Sequence, residues 1–499
     1  MSSEHDSYLL PLSDSTEELY ESIRGEIRNS ELTRKQIGTE GIVLSLIYLR
    51  TMIDNDLLQR DILAPLLHLL NEMTDLEKIP DVLPVSQLDT IETIDTAVAR
   101  ILQGWVLIHM DGFTDGYAVN IMKYHHRGLS QAETESQIFG PQVAFTESLD
   151  INLGLIRQTI MTPNLVTESM QVGLRTQTSI SLIYIDGLAF EQNINTFKQR
   201  LNSLQIDGVF DTSTIGQLID DNSYSLFPHL ILTERPDRVT ASLLEGKIVM
   251  MAAGSPYALV GPATFFDFFK ATEDHYVRWG MASFIRMLRL VSLAFSTLFT
   301  PVYVAALTHH YAVIPSALLV SIVESRSKVP FPPIFEALLL EFIIELLREA
   351  GARLPTKVGQ TMGIVGGIVI GQAAVQAGFT SNILIMIVAL GALSSFTAPS
   401  YMMGSAIRIV RFPMIILAGL WGGVGIMAGV CFLILHLLRQ TSLDNPYLYP
   451  IYPPRISDMK DSMIRLPFSF FAKRTQFTRG ADQNRFFSKR YPQHTEIDE

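Results

Sequence analysis

Between Pro330 and Gly425 the chain is apolar enough to enter lipid, yet Pro, Gly, Gln and Glu interrupt it at positions for which a passive anchor has no use. Within residues 357–378, Gly359, Gly363, Gly367 and Gly371 recur at every fourth position. Lipid gives helices no hydrophobic drive to associate, so this small-residue ladder predicts a helix that packs closely on a neighbour through its glycines. At about 100° per residue the glycines cover an arc of roughly 120°, and Gln372 and Gln376 fall on the other side, near ~220° and ~260°. Two readings of these amides stand. They are hydrogen-bonding glue between helices, or they line a water-filled path, because a polar group in a span must be paired or wet.

Charge is distributed unevenly over the 499 residues, of which 48% are hydrophobic and 18% charged. Nearly everything before Met281 is polar and mostly acidic, and the long apolar runs come after it. The expected fold class is an α/β soluble N-terminal region of two subdomains, followed by an α-helical multi-span membrane domain. The boundaries read as an N-terminal segment over 1–32, subdomains over 33–165 and 166–275, a transmembrane domain over 281–438 and a basic tail over 439–499. The first residues carry neither a basic n-region nor an apolar h-region, so a cytoplasmic N-terminal domain is expected. Cys431 is the single cysteine, which excludes an internal disulfide framework or a cysteine metal site. A net charge of −12 argues against nucleic-acid binding. The tail is the exception: Lys460, Arg465, Lys473, Arg474, Arg479, Arg485, Lys489 and Arg490 alternate with phenylalanines, as in a segment lying on anionic headgroups or in a solvated disordered tail.

Two short segments resemble each other, Ser45–Leu49 and Ser181–Ile185, each an apolar run before a turn and an amphipathic helix, and suggest a duplicated βα unit. Further strands are expected at 105–109, 180–185, 230–232, 248–251 and 257–260. Neither subdomain carries a Walker loop or a dinucleotide fingerprint, and the histidines lack metal-ligand spacing, so no cofactor and no metal is expected. A collar of His275, Tyr276, Arg278, Trp279, Arg286 and Arg289 marks a cytoplasmic headgroup layer. Spans are expected at 290–307, along the glycine ladder, at 383–396 and at 412–438, with Arg408 and Arg411 in the loop between the last two. The run 312–323 is too short to cross, since a crossing takes about 20 residues. The helix 334–350 reads as amphipathic, with Glu341, Glu345, Arg348 and Glu349 on one side and Phe335, Leu339, Phe342, Ile343 and Leu346 on the other.

Longer strings carry a resemblance. They are Gly140 to Leu149 with Asn152 and Arg157, then Arg235-Pro236-Asp237-Arg238, then Phe331-Pro332-Pro333 with Glu336, then Leu347 to Gly351, then Gly371 to Gly378. Over about 42–467 the chain resembles the spore germination protein family, the A subunits of the nutrient germinant receptors of endospore-forming bacteria. The resemblance implies a multi-pass protein of the spore inner membrane that works with a permease-like B subunit and a lipoprotein C subunit, and that forms a homo-oligomer around an ion-conducting pore opened by nutrient. Carried over, Glu336, Gln372 and Gln376 become pore or gating candidates beside Glu341 and Glu345, and Arg235, Pro236, Asp237 and Arg238 a soluble-domain motif. Ala253 departs from the family pattern, which has an acidic residue there. A non-conducting scaffold or transducer is the competing reading. An intramembrane enzyme built on His309 and His310 lacks an accompanying acid, so no enzyme is expected.

Overall fold

The computed structural model describes residues 10–39, 42–69, 79–123, 132, 135, 137–353, 369, 371–478, 480 and 482–485. Its first half contains two sheets with one topology. In the first, α1 (Thr16–Glu26) precedes β1 (Leu32–Thr39) and β2 (Ile42–Leu49), a helical stretch over 55–69 leads to β3 (Leu88–Ile91), and α2 (Ile94–Leu102), β4 (Trp105–Met110) and β5 (Gly116–Asn120) close it. The second repeats the sequence of elements with α3 (Leu149–Thr159), β6 (Leu165–Val172), β7 (Thr178–Ile185), α4 (Glu191–Asn202), α5 (Thr212–Leu218), β8 (Ile231–Thr233), α6 (Pro236–Leu244), β9 (Ile248–Ala252) and β10 (Ala258–Gly261). The strand orders, β1-β2-β4-β5-β3 and β6-β7-β9-β10-β8, are the same, and every pair is antiparallel.

The two look-alike segments occupy the same place in the two sheets. Leu46 of β2 pairs with Ile108, and Leu182 of β7 pairs with Met250. Helices cover both faces of each sheet, so these inner strands are apolar on both sides instead of alternating. On the first sheet, Leu19, Ile23 and Ile101 pack one face while Leu58 and Ile62 pack the other. On the second, Leu153, Val239 and Leu243 lie opposite Ile194, Phe197 and Ile215. The strands without a clear sequence signal include β1, β3 and β6, sheet edges where charges such as Arg34 and Lys35 are tolerated.

The second half is helical: α7 (Trp279–Thr308), α8 (Ser316–Arg326), α9 (Pro333–Ala352), a short helix Gly371–Gln376, α10 (Asn382–Ser395) and α11 (Tyr401–Arg439). Two of these helices, α7 and α11, are long and apolar enough to cross a membrane. At 1.5 Å per residue, α7 extends about 45 Å away from the sheets. Helix α11 is not one rod. Gly422 breaks it at φ 62°, ψ −138°. A Cβ on Gly429 would lie 2.5 Å from Met414 Sδ, whereas a straight helix would separate those residues by about 22 Å. The chain therefore leaves the sheets along 401–421, turns at Gly422 beside His309 and His310, and returns along 423–439. The span expected at 412–438 is thus one arm and part of the other, and Arg408 and Arg411 lie inside the outward arm, not in a loop.

The returning arm delivers the tail to the second sheet. Ser442 Oγ accepts from Ala263 N at 2.9 Å and donates to His229 O at 2.6 Å, and Tyr447 is fully buried among Phe265 and Phe268. Arg465, Phe471 and Phe477 are buried as well. The expectation of a headgroup-bound or solvated segment from Lys460 on does not hold for 460–478, because the hairpin brings this segment to an apolar face of the sheet layer before it can reach either. Arg479, residue 481 and residues 486–499, with Lys489 and Arg490, lie outside the described residues.

Candidate functional site

Three tiers of paired charge, the first two built on a buried glutamate and the third half-buried, run down the helical part. At the end remote from the sheets, Glu336 is 1% exposed, accepts from Thr380 Oγ1 at 3.1 Å and Ser381 N at 2.6 Å, and pairs with Arg326 at 3.1 Å. Midway, Glu341 and Arg411 are each 1% exposed and paired; Thr300 donates to Glu341 at 2.9 Å, and Arg411 donates to Ser296 Oγ at 2.7 Å and Gly391 O at 3.2 Å. Nearest the sheets, Glu345 pairs with Arg348 at 2.8 Å and Arg408 at 3.5 Å, and Arg348 reaches Ser395 Oγ at 3.3 Å. At about 100° per residue, Glu336, Glu341 and Glu345 fall near 0°, ~140° and ~180°, spread over the half of α9 that faces the other helices.

The opposite side of α9 is exposed and apolar: Phe335 (65%), Phe342 and Leu346. The helix is amphipathic as its sequence indicates, but Glu336 and Glu341 turn inward, Glu345 is partly covered, and Glu349 in the last turns stays exposed beside Arg353. Gln372 and Gln376 are exposed on their short helix. Gly371 opens that helix, and a Cβ there would meet nothing within 4 Å. Gly359, Gly363 and Gly367 lie outside the described residues. Helix α8 has no buried residue. Arg326, Ser296 and Thr300 were not singled out from the sequence; an arginine near a span was the only signal available for the first.

A second cluster joins the sheets to α7. Of the expected collar, Arg286 and Arg289 face protein, not headgroups: Arg286 pairs with Asp274 at 3.0 Å and Asp461 at 3.1 Å, and Arg289 with Asp274 at 2.9 Å and Glu273 at 3.1 Å. Lys270 bridges Asp267 at 2.8 Å and Asp461 at 3.5 Å. Burial alone raises the Asp461 carboxyl, but Lys270 and Arg286 outweigh it and hold it down to about 2. Burial, then Arg465, lowers His275 below the ordinary imidazole range, which keeps it neutral at pH 7.

The soluble-domain motif is a clamp at the same junction. Arg235, fully buried at the start of α6, donates to both Asp237 oxygens at 3.1 and 2.9 Å and to Pro141 O at 2.6 Å; Arg238 pairs with Glu135 and donates to Asp267 O at 3.2 Å. Pro236 fills the first helical turn, where its missing N–H costs nothing. Tyr276 donates to Asp237 at 3.2 Å, and burial together with that carboxylate pushes its phenol up to about 12. The strings Gly140–Leu149 and Arg235–Arg238 thus meet where the chain enters α7.

Residues 18–477 match the profile of the Bacillus/Clostridium GerA spore germination proteins. The chain belongs to this family. It is similar to spore germination protein GerQA of Bacillus cereus, 46% identical over 462 residues that cover 92% of each chain. It is also similar to spore germination protein A1 of Bacillus subtilis (37% identical, 88% of this chain, 91% of the relative) and to a B. subtilis protein described as the uncharacterized membrane protein YfkQ (37%, 89% and 87%). Among solved structures, the N-terminal domain of the A subunit of the Bacillus megaterium spore germinant receptor GerK3 is 26% identical, matches at a TM-score of 0.41, and covers 52% of this chain and 98% of that domain. The resemblance read from Gly140–Leu149, Arg235–Arg238 and Gly371–Gly378 therefore holds for the family.

Proposed function

We propose that this chain is the membrane subunit of a nutrient germinant receptor that triggers spore germination, and that copies of its helical part assemble into a nutrient-gated ion channel. The observation that carries the membrane reading is the reversed polarity of α9. A helix in water turns its charges outward; here Glu336 and Glu341 face inward onto Arg326 and Arg411, and Glu345 meets Arg408, while phenylalanine and leucine face out and Glu349 alone of the four acids stays exposed near the helix end, the arrangement that lipid imposes. In this reading the sheets and the tail share the cytoplasmic side of the spore inner membrane, and a permease-like B subunit and a lipoprotein C subunit complete the receptor. Gln372 and Gln376, exposed within one protomer, can line a path between protomers.

The internal pairing of Glu336, Glu341 and Glu345 favours a second reading, a non-conducting scaffold or transducer, because carboxylates held by arginines of their own chain offer little to a passing cation. Ion flux through the purified protein in liposomes, with and without its receptor partners and nutrient, separates the two. Nutrient-dependent flux that changes with Gln376→Leu supports the channel. Flux equal to that of empty liposomes in every combination supports the scaffold.

A further inference from the structure

Two apolar side chains of the second sheet unit project beside the returning arm of α11. Tyr224 is 99% exposed, and Leu226 is exposed as well, on the loop that joins α5 to β8. The loop is not slack. Ser225 N donates to Asn222 O and Tyr224 N to Asn222 Oδ1, both at 3.1 Å, and Phe227 N donates to Ser225 Oγ at 3.2 Å. It is braced on α11 and the residue that follows it: Asn222 Nδ2 donates to Gln440 Oε1 at 3.2 Å, Ser225 Oγ and His436 Nε2 share a hydrogen bond at 3.3 Å, and the Phe227 ring lies 6.1 Å from that imidazole. His436 in turn stacks on Phe432, which is exposed on the returning arm together with Leu435 and Leu438. An isolated apolar side chain on a surface needs no explanation, but this tip continues an apolar surface that α11 already presents.

Its level along the helices decides what meets it. Arg439, exposed, closes α11, and Trp279 and Tyr401, also exposed, open α7 and α11 at the same sheet-side end; arginine, tryptophan and tyrosine collect where hydrocarbon gives way to headgroups. His436 lies one turn before Arg439, about 4.5 Å deeper at 1.5 Å per residue, so the loop packs on the helix within that boundary. Tyrosine, with an apolar ring and a polar tip, suits the depth. The acids at the base of the loop do not oppose it, since Asp220 is held by His229 at 2.6 Å and Asp221 by Arg200 and Thr441. We infer that the loop 222–227 is a membrane anchor of the sheet half: it inserts Tyr224 and Leu226 into the lipid leaflet on the sheet side and fixes the second sheet against the bilayer. The inference rests on the reading of α7 and α11 as membrane helices.

The test reads lipid contact by fluorescence quenching. Full-length protein carrying Cys431→Ser receives one of Tyr224→Cys, Phe432→Cys or Phe210→Cys, is labelled with a small environment-sensitive fluorophore, and is reconstituted into phosphatidylcholine liposomes with or without bromine on the acyl chains near the headgroup. Phe210, 82% exposed, is the control at the opposite end of the second sheet. Its neighbour Val209 accepts from Thr178, which opens β7, whereas Gly261, which closes the like-directed β10, lies against Leu443 just beyond α11. The Tyr224 probe should lose about half of its emission in brominated liposomes, as fits a group seated about 5–10 Å into the boundary of headgroups and chains, and the Phe210 probe almost none. The Phe432 probe reports on the helices themselves. Quenching there with none at Tyr224 overturns the anchor and leaves the membrane reading standing; no quenching at either overturns both. Equal quenching at Tyr224 and Phe210 also overturns the inference, as does a Tyr224 probe whose emission shifts to the blue without bromine quenching, since protein and not lipid would then cover the tip.

Discussion

Breaking the Glu341–Arg411 pair should destabilise the helical part far more than deleting it. Both side chains are 1% exposed. In Arg411→Met the Glu341 carboxylate keeps only Thr300, at 2.9 Å; in Glu341→Leu the guanidinium keeps only Ser296 Oγ and Gly391 O, at 2.7 and 3.2 Å. Leaving one member of a buried pair uncompensated costs about 3–5 kcal/mol, whereas an apolar pair of similar volume restores most of it. The double variant Glu341→Leu/Arg411→Met should therefore be far closer to the parent than the sum of the singles, with a coupling energy of about 3 kcal/mol or more. The assay is equilibrium unfolding of the four proteins in mixed micelles. Single-variant effects that add to within about 0.5 kcal/mol would refute the reasoning, since they would mean that the two groups do not depend on each other.

Gly422→Ala should destabilise the turn of α11 by about 1–3 kcal/mol, because the position has positive φ and the new Cβ would sit 2.8 Å from His309 Cβ; thermal unfolding and proteolysis at Trp421 would show it. Asp461 has a folded pKa near 2 against an ordinary 3.8, so its contribution is complete above pH ~4 and is lost as pH falls toward ~2, a swing of about 2 kcal/mol. Asp461→Asn should be less stable at pH 7 and should show a shallower stability profile across that window. Tyr447→Ala empties a fully buried site against Phe265 and Phe268 and removes the bond to Pro228 O at 2.7 Å; a loss of about 3–5 kcal/mol is expected in urea unfolding of the full chain, and a loss under about 1 kcal/mol would show that the tail does not brace the second sheet.

The sequence alone determined a good deal. Apolar runs after Met281 located the helical half, the twin segments at Ser45 and Ser181 indicated a duplicated strand-then-helix unit, and the Arg235–Arg238 string, with the others, carried the family. Each of these is a local signal: an inner strand covered on both faces is apolar at most positions, and that pattern survives without knowledge of its neighbours. The tertiary structure decided three things. Periodicity says that α9 has a charged face and an apolar face but not which one turns inward, because that depends on whether the surroundings are water or lipid. The Gly422-Gly423 pair reads as ordinary small residues in an apolar run, and only the approach of His309 and Met414 reveals a reversal there. That reversal in turn brings the basic tail back to the sheets, where Ser442, Tyr447 and Asp461 find partners more than 170 residues away along the chain, a separation no local pattern encodes.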